Sequence, residues 1–138
     1  MTKTITSCIE SLKKLPIRQQ RCVAAIVGAH VADAASRPLH WVYNVDALGE
    51  ALKTVDVPEF FPENKCPFYE LELGDTSSYN DELRCTLGYL HSNPGDKFNV
   101  DGLAEAFKEK YGPGTPIYEF NKDRSSQPIK GIVIYMRD

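Results

Sequence analysis

The stretch that decides the fold runs from Ile17 to Ala35, with the sequence IRQQRCVAAIVGAHVADAA. Its bulky apolar residues recur every three or four positions, as on one face of an α-helix. Alanines fill most of the remaining surface, and a helix that is apolar or small nearly all round is typically buried. The stretch therefore predicts the central helix of a bundle. We expect it to end around Ser36-Arg37-Pro38, because a residue before proline avoids helical angles.

Three further segments carry the signals of helix starts or helix faces. Thr4 to Leu15 has apolar residues at helical spacing and is followed by Pro16, which breaks the pattern. Asn44 and Asn99 open two similar phrases, each with an acid in the first turn and apolar residues at helical spacing. Asparagine is a favoured N-cap, so each phrase predicts a capped helix.

The rest of the chain predicts one more helix and two irregular segments. Leucines at helical spacing predict a helix from about Asn80 to His91. The helix after Asn99 is expected to close at Gly112, with glycine as a left-handed C-cap. We interpret 57–67, which is rich in proline and phenylalanine, as an ordered loop, and 113–131 as loop as well. The predicted fold class is all-α.

Composition excludes several classes of protein. The 138 residues suit one domain, and the net charge of -3 argues against a protein that binds the phosphate backbone of nucleic acids. The longest apolar run, Cys22 to Ala29, is far shorter than the roughly 20 residues that a membrane-spanning helix needs. We therefore expect neither nucleic acid nor membrane as a partner, and a cytoplasmic location.

The four cysteines predict free thiols and no zinc site, because no pair has the Cys-x-x-Cys spacing. Cys8 and Cys22 fall within helical patterns, and we expect them to be small core residues.

Two positions near the end of the long helix are candidates for a functional role. Asp33 is an acid within an apolar helix, where it is costly unless it is paired. It either caps or hydrogen-bonds near the helix end, or it orients a neighbouring site. His40 and Trp41 follow a proline turn, and they form either a structural corner or part of a pocket.

Asn80, Asp81 and Glu82 place three oxygen-bearing side chains at a predicted helix start. Such a cluster suits Mg²⁺, a hard cation that prefers oxygen ligands. The alternative is a solvated first turn, where acids also interact favourably with the helix dipole.

Several of these stretches together resemble a known superfamily. Gly28-x-x-x-Ala32-Asp33-Ala34 followed by Pro38 resembles the Gly-x-x-x-Gly-Asp-Ala-x-Gly-x-Pro signature of ADP-ribosylglycohydrolases. The phrases PLHWVY at 38–43, PEFFP at 58–62 and the segment 74–81 are more similar to the J-type crystallins of jellyfish lens and their selenoprotein relatives. The similarity extends from about residue 18 to residue 131.

The resemblance implies a compact, orthogonal, all-α bundle of the ADP-ribosylglycohydrolase type, here truncated to its amino-terminal part. Residues 1–131 would form that part, and 132–138 a divergent tail. Active members hold two Mg²⁺ ions and cleave ADP-ribose from its acceptors. Their first metal half-site, Tyr-Thr-Asp-Asp-Thr, corresponds to Tyr79 to Leu83, so Asn80, Asp81 and Glu82 would be the metal ligands.

The departures from the family pattern bear on activity. His40 stands where several active members carry a catalytic glutamate, and the second metal half-site of the family has no counterpart in these 138 residues. Asp33 and His40 are the catalytic candidates.

We expect a non-catalytic, J-crystallin-like structural or binding protein. The alternative is a Mg²⁺-dependent ADP-ribosyl hydrolase, active only in a longer form, with ADP-ribose or an ADP-ribosylated substrate as its partner. Because several helices of the family would be missing, we also expect Val23, Val27 and Val31 to be exposed.

Overall fold

A computed structural model describes residues 5–70, 72–95, 98–124 and 127–131. Over these residues the chain is helical and contains no named strand; the only β-type pairing is an isolated parallel bridge between Tyr69 and Ile129. The all-α prediction is therefore confirmed. The helices are α1 Ile5–Lys13, α2 Ile17–Ser36, a 3-10 helix Arg37–Leu39, α3 Val45–Leu52, α4 Ser78–Ser92, α5 Val100–Tyr111 and α6 Pro116–Asn121.

At the starts of α3, α5 and α6, a capping side chain accepts a hydrogen bond from a free backbone N–H group. The Asn44 side chain accepts a hydrogen bond from the Ala47 N–H at the start of α3, and the Asn99 side chain accepts from the Asp101 N–H at the start of α5. Both predicted caps are thus confirmed. Within 113–131, however, the expected loop contains α6, since Thr115 caps it and Pro116 occupies its first turn.

The end of α5 differs from the prediction of a left-handed cap. Gly112 has φ −80°, and its N–H donates to the Lys108 carbonyl at 2.8 Å. A Cβ at residue 112 would lie 2.4 Å from the Lys108 oxygen, so glycine is needed here for close backbone approach and not for positive φ. The left-handed glycine is Gly114, with φ +88°.

The chain divides into two compact units, Met1–Ala32 and Asp33–Asp138, called here the amino-terminal and carboxy-terminal units. None of the described residues of the amino-terminal unit is buried. Within α2, only Ala34 and Ala35 are buried, and both belong to the carboxy-terminal unit. The prediction of a helix buried nearly all round is therefore wrong over 17–33, where none of the residues is buried.

The expected exposure of Val23, Val27 and Val31 is confirmed: all three are exposed on α2. The prediction that Cys8 and Cys22 are core residues is wrong, because both lie at exposed positions of their helices. Cys66 and Cys85 are buried.

The carboxy-terminal unit contains the core. Its buried apolar residues are Ala34, Ala35, Phe61, Cys66, Tyr69, Cys85 and Tyr111. The long connection between α3 and α4 is ordered by backbone pairing with the end of α2 and the 3-10 helix: the Phe60 N–H donates to the Ala35 carbonyl and the Lys65 N–H to the Pro38 carbonyl. Residues 72–77 are held against the end of α2 by hydrogen bonds to Asp33 and from Arg37.

Two further expectations concern the tail of the chain and a membrane-spanning helix. The proposed divergent tail, 132–138, lies outside the described residues. As for membranes, no helix within the described ranges is long and apolar enough to cross a bilayer.

Candidate functional site

The site is a buried polar cluster in the carboxy-terminal unit, built around Asp33. The two carboxylate oxygens of Asp33 accept hydrogen bonds from the Ser77 N–H and the Ser77 hydroxyl, each at 2.6 Å. The Asn80 side-chain NH₂ also points to this carboxylate, at 3.4 Å. Hydrogen bonds to a carboxylate are stronger than neutral ones, so Asp33 joins the end of α2 firmly to the start of α4.

Ser77 is fully buried and immediately precedes α4. A serine at this position usually caps its own helix, but the Ser77 hydroxyl makes no cap hydrogen bond because it donates to Asp33. The carboxylate of Asp33 instead places negative charge at the positive end of the α4 dipole. Asp33 therefore lies near the end of α2, but its hydrogen bonds stabilise the start of α4.

Arg37 fixes the segment that leads into α4. Its side chain is fully buried, and its Nε and Nη2 groups donate to the carbonyls of Asp75 and Glu72 at 2.8 and 2.5 Å. Burying a guanidinium is costly, and these two bonds offset part of that cost, while Nη1 is buried and has no hydrogen-bond partner among the described residues. Arg37 and Asp33 thus hold adjacent points of the 72–77 segment against the end of α2.

Asn80 is 3% exposed, and its side-chain oxygen, Oδ1, has no hydrogen-bond partner among the described residues. The orientation of this amide is well determined physically, since a flip would place its oxygen against the Asp33 carboxylate. An unsatisfied buried acceptor accommodates a water molecule or a cation. One oxygen of the predicted metal set therefore fits a Mg²⁺ ligand.

The other two predicted metal ligands lie in different surroundings. Asp81 is buried, and its carboxylate lies so close to Gly131 that a Cβ there would be 2.6 Å from Oδ2. Glu82 is exposed. Within the described ranges, no group of three or more His, Cys, Asp and Glu side chains is arranged to hold a metal ion. The assignment of Asn80, Asp81 and Glu82 to a magnesium site stays a prediction.

Tyr111 supports this helix start from α5. Its hydroxyl donates to the Asp81 backbone carbonyl at 3.1 Å. Burial, reinforced by the nearby Asp81 carboxylate, raises the pKa of Tyr111 to about 12. The hydroxyl is therefore neutral and available as a donor throughout the physiological range.

His40, the second catalytic candidate, is held by the last residue of α2. Its Nε2 lies 3.1 Å from the Ser36 hydroxyl, which itself donates to the Asp33 carbonyl at 3.3 Å. Either atom of the Ser36–His40 pair could be the donor. Nδ1 of His40 is buried and has no hydrogen-bond partner among the described residues. Catalysis by Asp33 or His40 stays a prediction.

Trp41 lies at the centre of an aromatic cluster. Its indole stacks on Tyr69 at 5.2 Å and meets Phe68 and Tyr79 nearly at right angles, at 5.1 and 6.2 Å. Its φ of +57° is unusual for a bulky residue and costs roughly 1–3 kcal/mol. The contacts with three rings stabilise this conformation, as expected of a structural corner. A pocket at residues 40–41 stays a prediction.

Sequence reasoning missed two members of the site. Ser77 had a usable signal, since a serine before Asn80 and Asp81 is typical of a helix start. Arg37 had none, because arginine is almost never fully buried and nothing in the neighbouring residues identifies its partners. Those partners are carbonyls more than thirty residues away in the chain.

The described chain is thus an all-α protein in which the half-buried Asp33, with the buried Ser77 and Asn80, ties the end of α2 to the start of α4. Comparison with known proteins finds two curated relatives, both from Tripedalia cystophora. The chain is 36% identical to crystallin J1A and 37% identical to crystallin J1B, in each case over 113 residues. It is homologous to these crystallins over that region.

The aligned region makes up 82% of this chain and 34% of each crystallin, so the chain spans about one third of the length of these relatives. No protein-family model matches the sequence. No solved structure matches it either.

Proposed function

We propose that this chain is a non-catalytic, J-crystallin-like structural or binding protein. The observation that carries the proposal is its homology to two proteins named crystallin J1 over 82% of its length. We further propose that the fold derives from that of the ADP-ribosylglycohydrolases, on the strength of the motif from Gly28 to Pro38, and that the protein is cytoplasmic.

The hydrogen bonds of Asp33 support a structural role for the motif. Both of its carboxylate oxygens are engaged by Ser77 at 2.6 Å. A general base has to accept a proton from substrate or water, and protonation of Asp33 would weaken its two charge-assisted bonds from the buried Ser77. The same bonds stabilise the junction between α2 and α4, which is the role expected of this residue in a structural protein.

A thermal melt followed by circular dichroism tests the proposal, with and without Mg²⁺ plus ADP-ribose. A ligand that binds only the native state, at 100 times its dissociation constant, stabilises it by about 2.7 kcal/mol. We expect a melting temperature that the additions do not change. An upward shift that is lost in Asp81→Ala, but kept in Asp46→Ala on the exposed start of α3, would contradict the proposal.

A second candidate is Mg²⁺-dependent hydrolysis of ADP-ribose–acceptor bonds by a longer form of the protein. Asn80 favours it, because Oδ1 is buried beside the Asp33 carboxylate and has no partner among the described residues. Asn80, Asp81 and Glu82 would hold the ion, which when bound supplies Lewis-acid stabilisation of developing charge. Asp33 would orient the Asn80 amide so that Oδ1 faces the ion.

Release of ADP-ribose from an ADP-ribosylated protein is the direct test of this second candidate. If it is correct, a longer form releases ADP-ribose in Mg²⁺, and Asn80→Ala reduces the rate while Asp46→Ala does not. If a longer form neither binds nor releases ADP-ribose, the hydrolase alternative is wrong and the structural proposal stands.

A further inference from the structure

A short extended segment after α6 pairs with the connection between α3 and α4. The Ile129 N–H donates to the Phe68 carbonyl and the Glu70 N–H donates to the Ile129 carbonyl, both at 2.9 Å. Backbone groups of successive residues in an extended chain point to opposite sides. Those of Pro128 and Lys130 therefore face away from the pair, and we call the side that they form the outer edge.

Every backbone hydrogen-bonding position of these two residues on the outer edge is closed. Pro128 has no N–H, and its carbonyl accepts a hydrogen bond from Arg124 Nη1 at 3.2 Å. The Lys130 N–H donates to Asn121 Oδ1 at 3.0 Å, and the Lys130 carbonyl accepts from Asn121 Nδ2 at 2.6 Å. The Asn121 amide thus makes the two bonds that one residue of an added antiparallel strand would make.

Several contacts hold Asn121 and Arg124 against the segment. Asn121 is the last residue of α6 and is 7% exposed. The ring of the preceding Phe120 lies under two cations, with its centroid 3.8 Å from Arg124 Cζ and 4.5 Å from Lys130 Nζ. Arg124 also forms an ion pair with Glu70 at 2.6 Å. The closing side chains are therefore fixed to both members of the extended pair.

A second asparagine bonds to the opposite edge of the pair. The Tyr69 carbonyl faces away from Ile129, and it accepts a hydrogen bond from Asn64 Nδ2 at 2.6 Å. The Asn64 side-chain oxygen is engaged as well, because it accepts from the Cys66 N–H at 3.3 Å. Side-chain amides thus bond to outward backbone groups on both sides of the pair.

We propose that Asn121 is an edge-blocking residue, whose amide prevents the outer edge from pairing with the outer edge of a second copy of this chain. An open edge is a template for strand addition. Main-chain pairing needs no particular side chains, and the same edge on two copies can meet across a two-fold axis. Stabilising the turn after α6 would require one hydrogen bond, whereas Asn121 takes both outward groups of Lys130.

Sedimentation equilibrium of the full chain tests the proposal, with Asn121→Ala and the matched control Asn93→Ala. Asn93 Nδ2 likewise donates to a backbone carbonyl at a helix end, that of Tyr89 at 2.8 Å. We expect Asn121→Ala to lower the concentration at which half of the protein is associated by at least about tenfold, because two main-chain bonds per copy become available. Asn93→Ala should stay within about twofold of the wild-type protein. An infrared amide I band of intermolecular β-sheet should accompany the association.

A second substitution distinguishes an open edge from a general loss of stability. In the Asn121→Ala background, Lys130→Pro removes the outward N–H, so residues 128 and 130 both lack a donor. We expect this double variant to associate as the wild-type protein does. Because Lys130→Pro restores none of the bonds that Asn121 made, recovered stability would not account for such a rescue.

Circular dichroism establishes whether each variant keeps the wild-type helix content. If Asn121→Ala does not, Arg124→Ala replaces it, because that substitution opens the Pro128 carbonyl on the same edge and removes only bonds at exposed positions. It should strengthen association in the same direction. An Arg124→Ala protein that associates no more than Asn93→Ala would then overturn the proposal.

Hydrogen exchange tests the closed edge in the wild-type protein. The Lys130 amide should exchange at least about tenfold more slowly than in an unstructured peptide, because its N–H is bonded to the buried Asn121. An unprotected Lys130 amide would overturn the proposal. So would equal association of folded Asn121→Ala and Asn93→Ala, or association that Lys130→Pro leaves undiminished.

Discussion

The two units of this chain use similar apolar residues in opposite ways. In the carboxy-terminal unit, Phe61 and Tyr69 are buried, and the hydrogen bonds that Asp33 accepts and Arg37 donates span more than thirty residues. In the amino-terminal unit, valines and isoleucines at helical spacing are exposed, and none of the described residues is buried. The comparison shows that apolar periodicity specifies a helix face, while burial requires a partner for that face.

The largest expected difference between the two units is in the loss of stability when an apolar side chain is truncated to alanine. Phe61→Ala should destabilise the protein by about 3–5 kcal/mol, because Phe61 is 2% exposed and its loss leaves a cavity. Val27→Ala should change the free energy of unfolding by less than about 0.5 kcal/mol when measured in dilute, monomeric protein. Urea denaturation measures both.

Phe60→Ala is the matched control, since Phe60 is adjacent in sequence but 48% exposed. Equal losses of stability for Phe60→Ala and Phe61→Ala would contradict the assignment of Phe61, and not Phe60, to the core.

A smaller effect is expected from the polar junction between α2 and α4. Asp33→Asn keeps the shape of the side chain but replaces one acceptor oxygen by a donor, which then faces a Ser77 donor. We expect a loss of about 2–3 kcal/mol in urea denaturation, in line with a buried hydrogen bond to a charged group. Asp56→Asn, in the exposed connection after α3, should have no measurable effect. A stability unchanged by Asp33→Asn would exclude a structural role for the cluster.

The smallest effect is a dependence of stability on alkaline pH. Burial first, and the Asp81 carboxylate second, raise the pKa of Tyr111 to about 12, above its ordinary value of 10.0. The folded state thus favours the neutral phenol. This contribution is complete below about pH 10 and is lost as the pH rises through about 12. Burial also raises the pKa of Tyr69, which adds to the loss in the same direction.

Tyr111→Phe should therefore cost about 1 kcal/mol near neutral pH, through the lost bond to the Asp81 carbonyl. It should also make stability fall less steeply above pH ~10, in urea melts at a series of pH values. Tyr43→Phe, at an exposed tyrosine, should leave both quantities unchanged. Identical pH profiles for Tyr111→Phe and the wild-type protein would contradict this assignment.

The local sequence was sufficient to predict most helices and their starts. The caps at Asn44 and Asn99 and the end of α2 near Pro38 depend on hydrogen bonds and backbone angles within a few residues. The prediction failed at α6, where Thr115 and Pro116 form a helix start that was interpreted as loop. It also failed at Gly112, whose role is close approach to the backbone rather than positive φ.

The sequence by itself therefore determined the all-α class, the helix faces and the candidate acid at Asp33, because those follow from period, capping and the cost of an unpaired charge. Only the tertiary structure decided that Ser77 is the partner of Asp33, that Arg37 is buried, and that Val23, Val27 and Val31 of α2 are exposed. The physical reason is that burial and pairing depend on groups that lie far apart in the chain, and no local pattern specifies which of them meet.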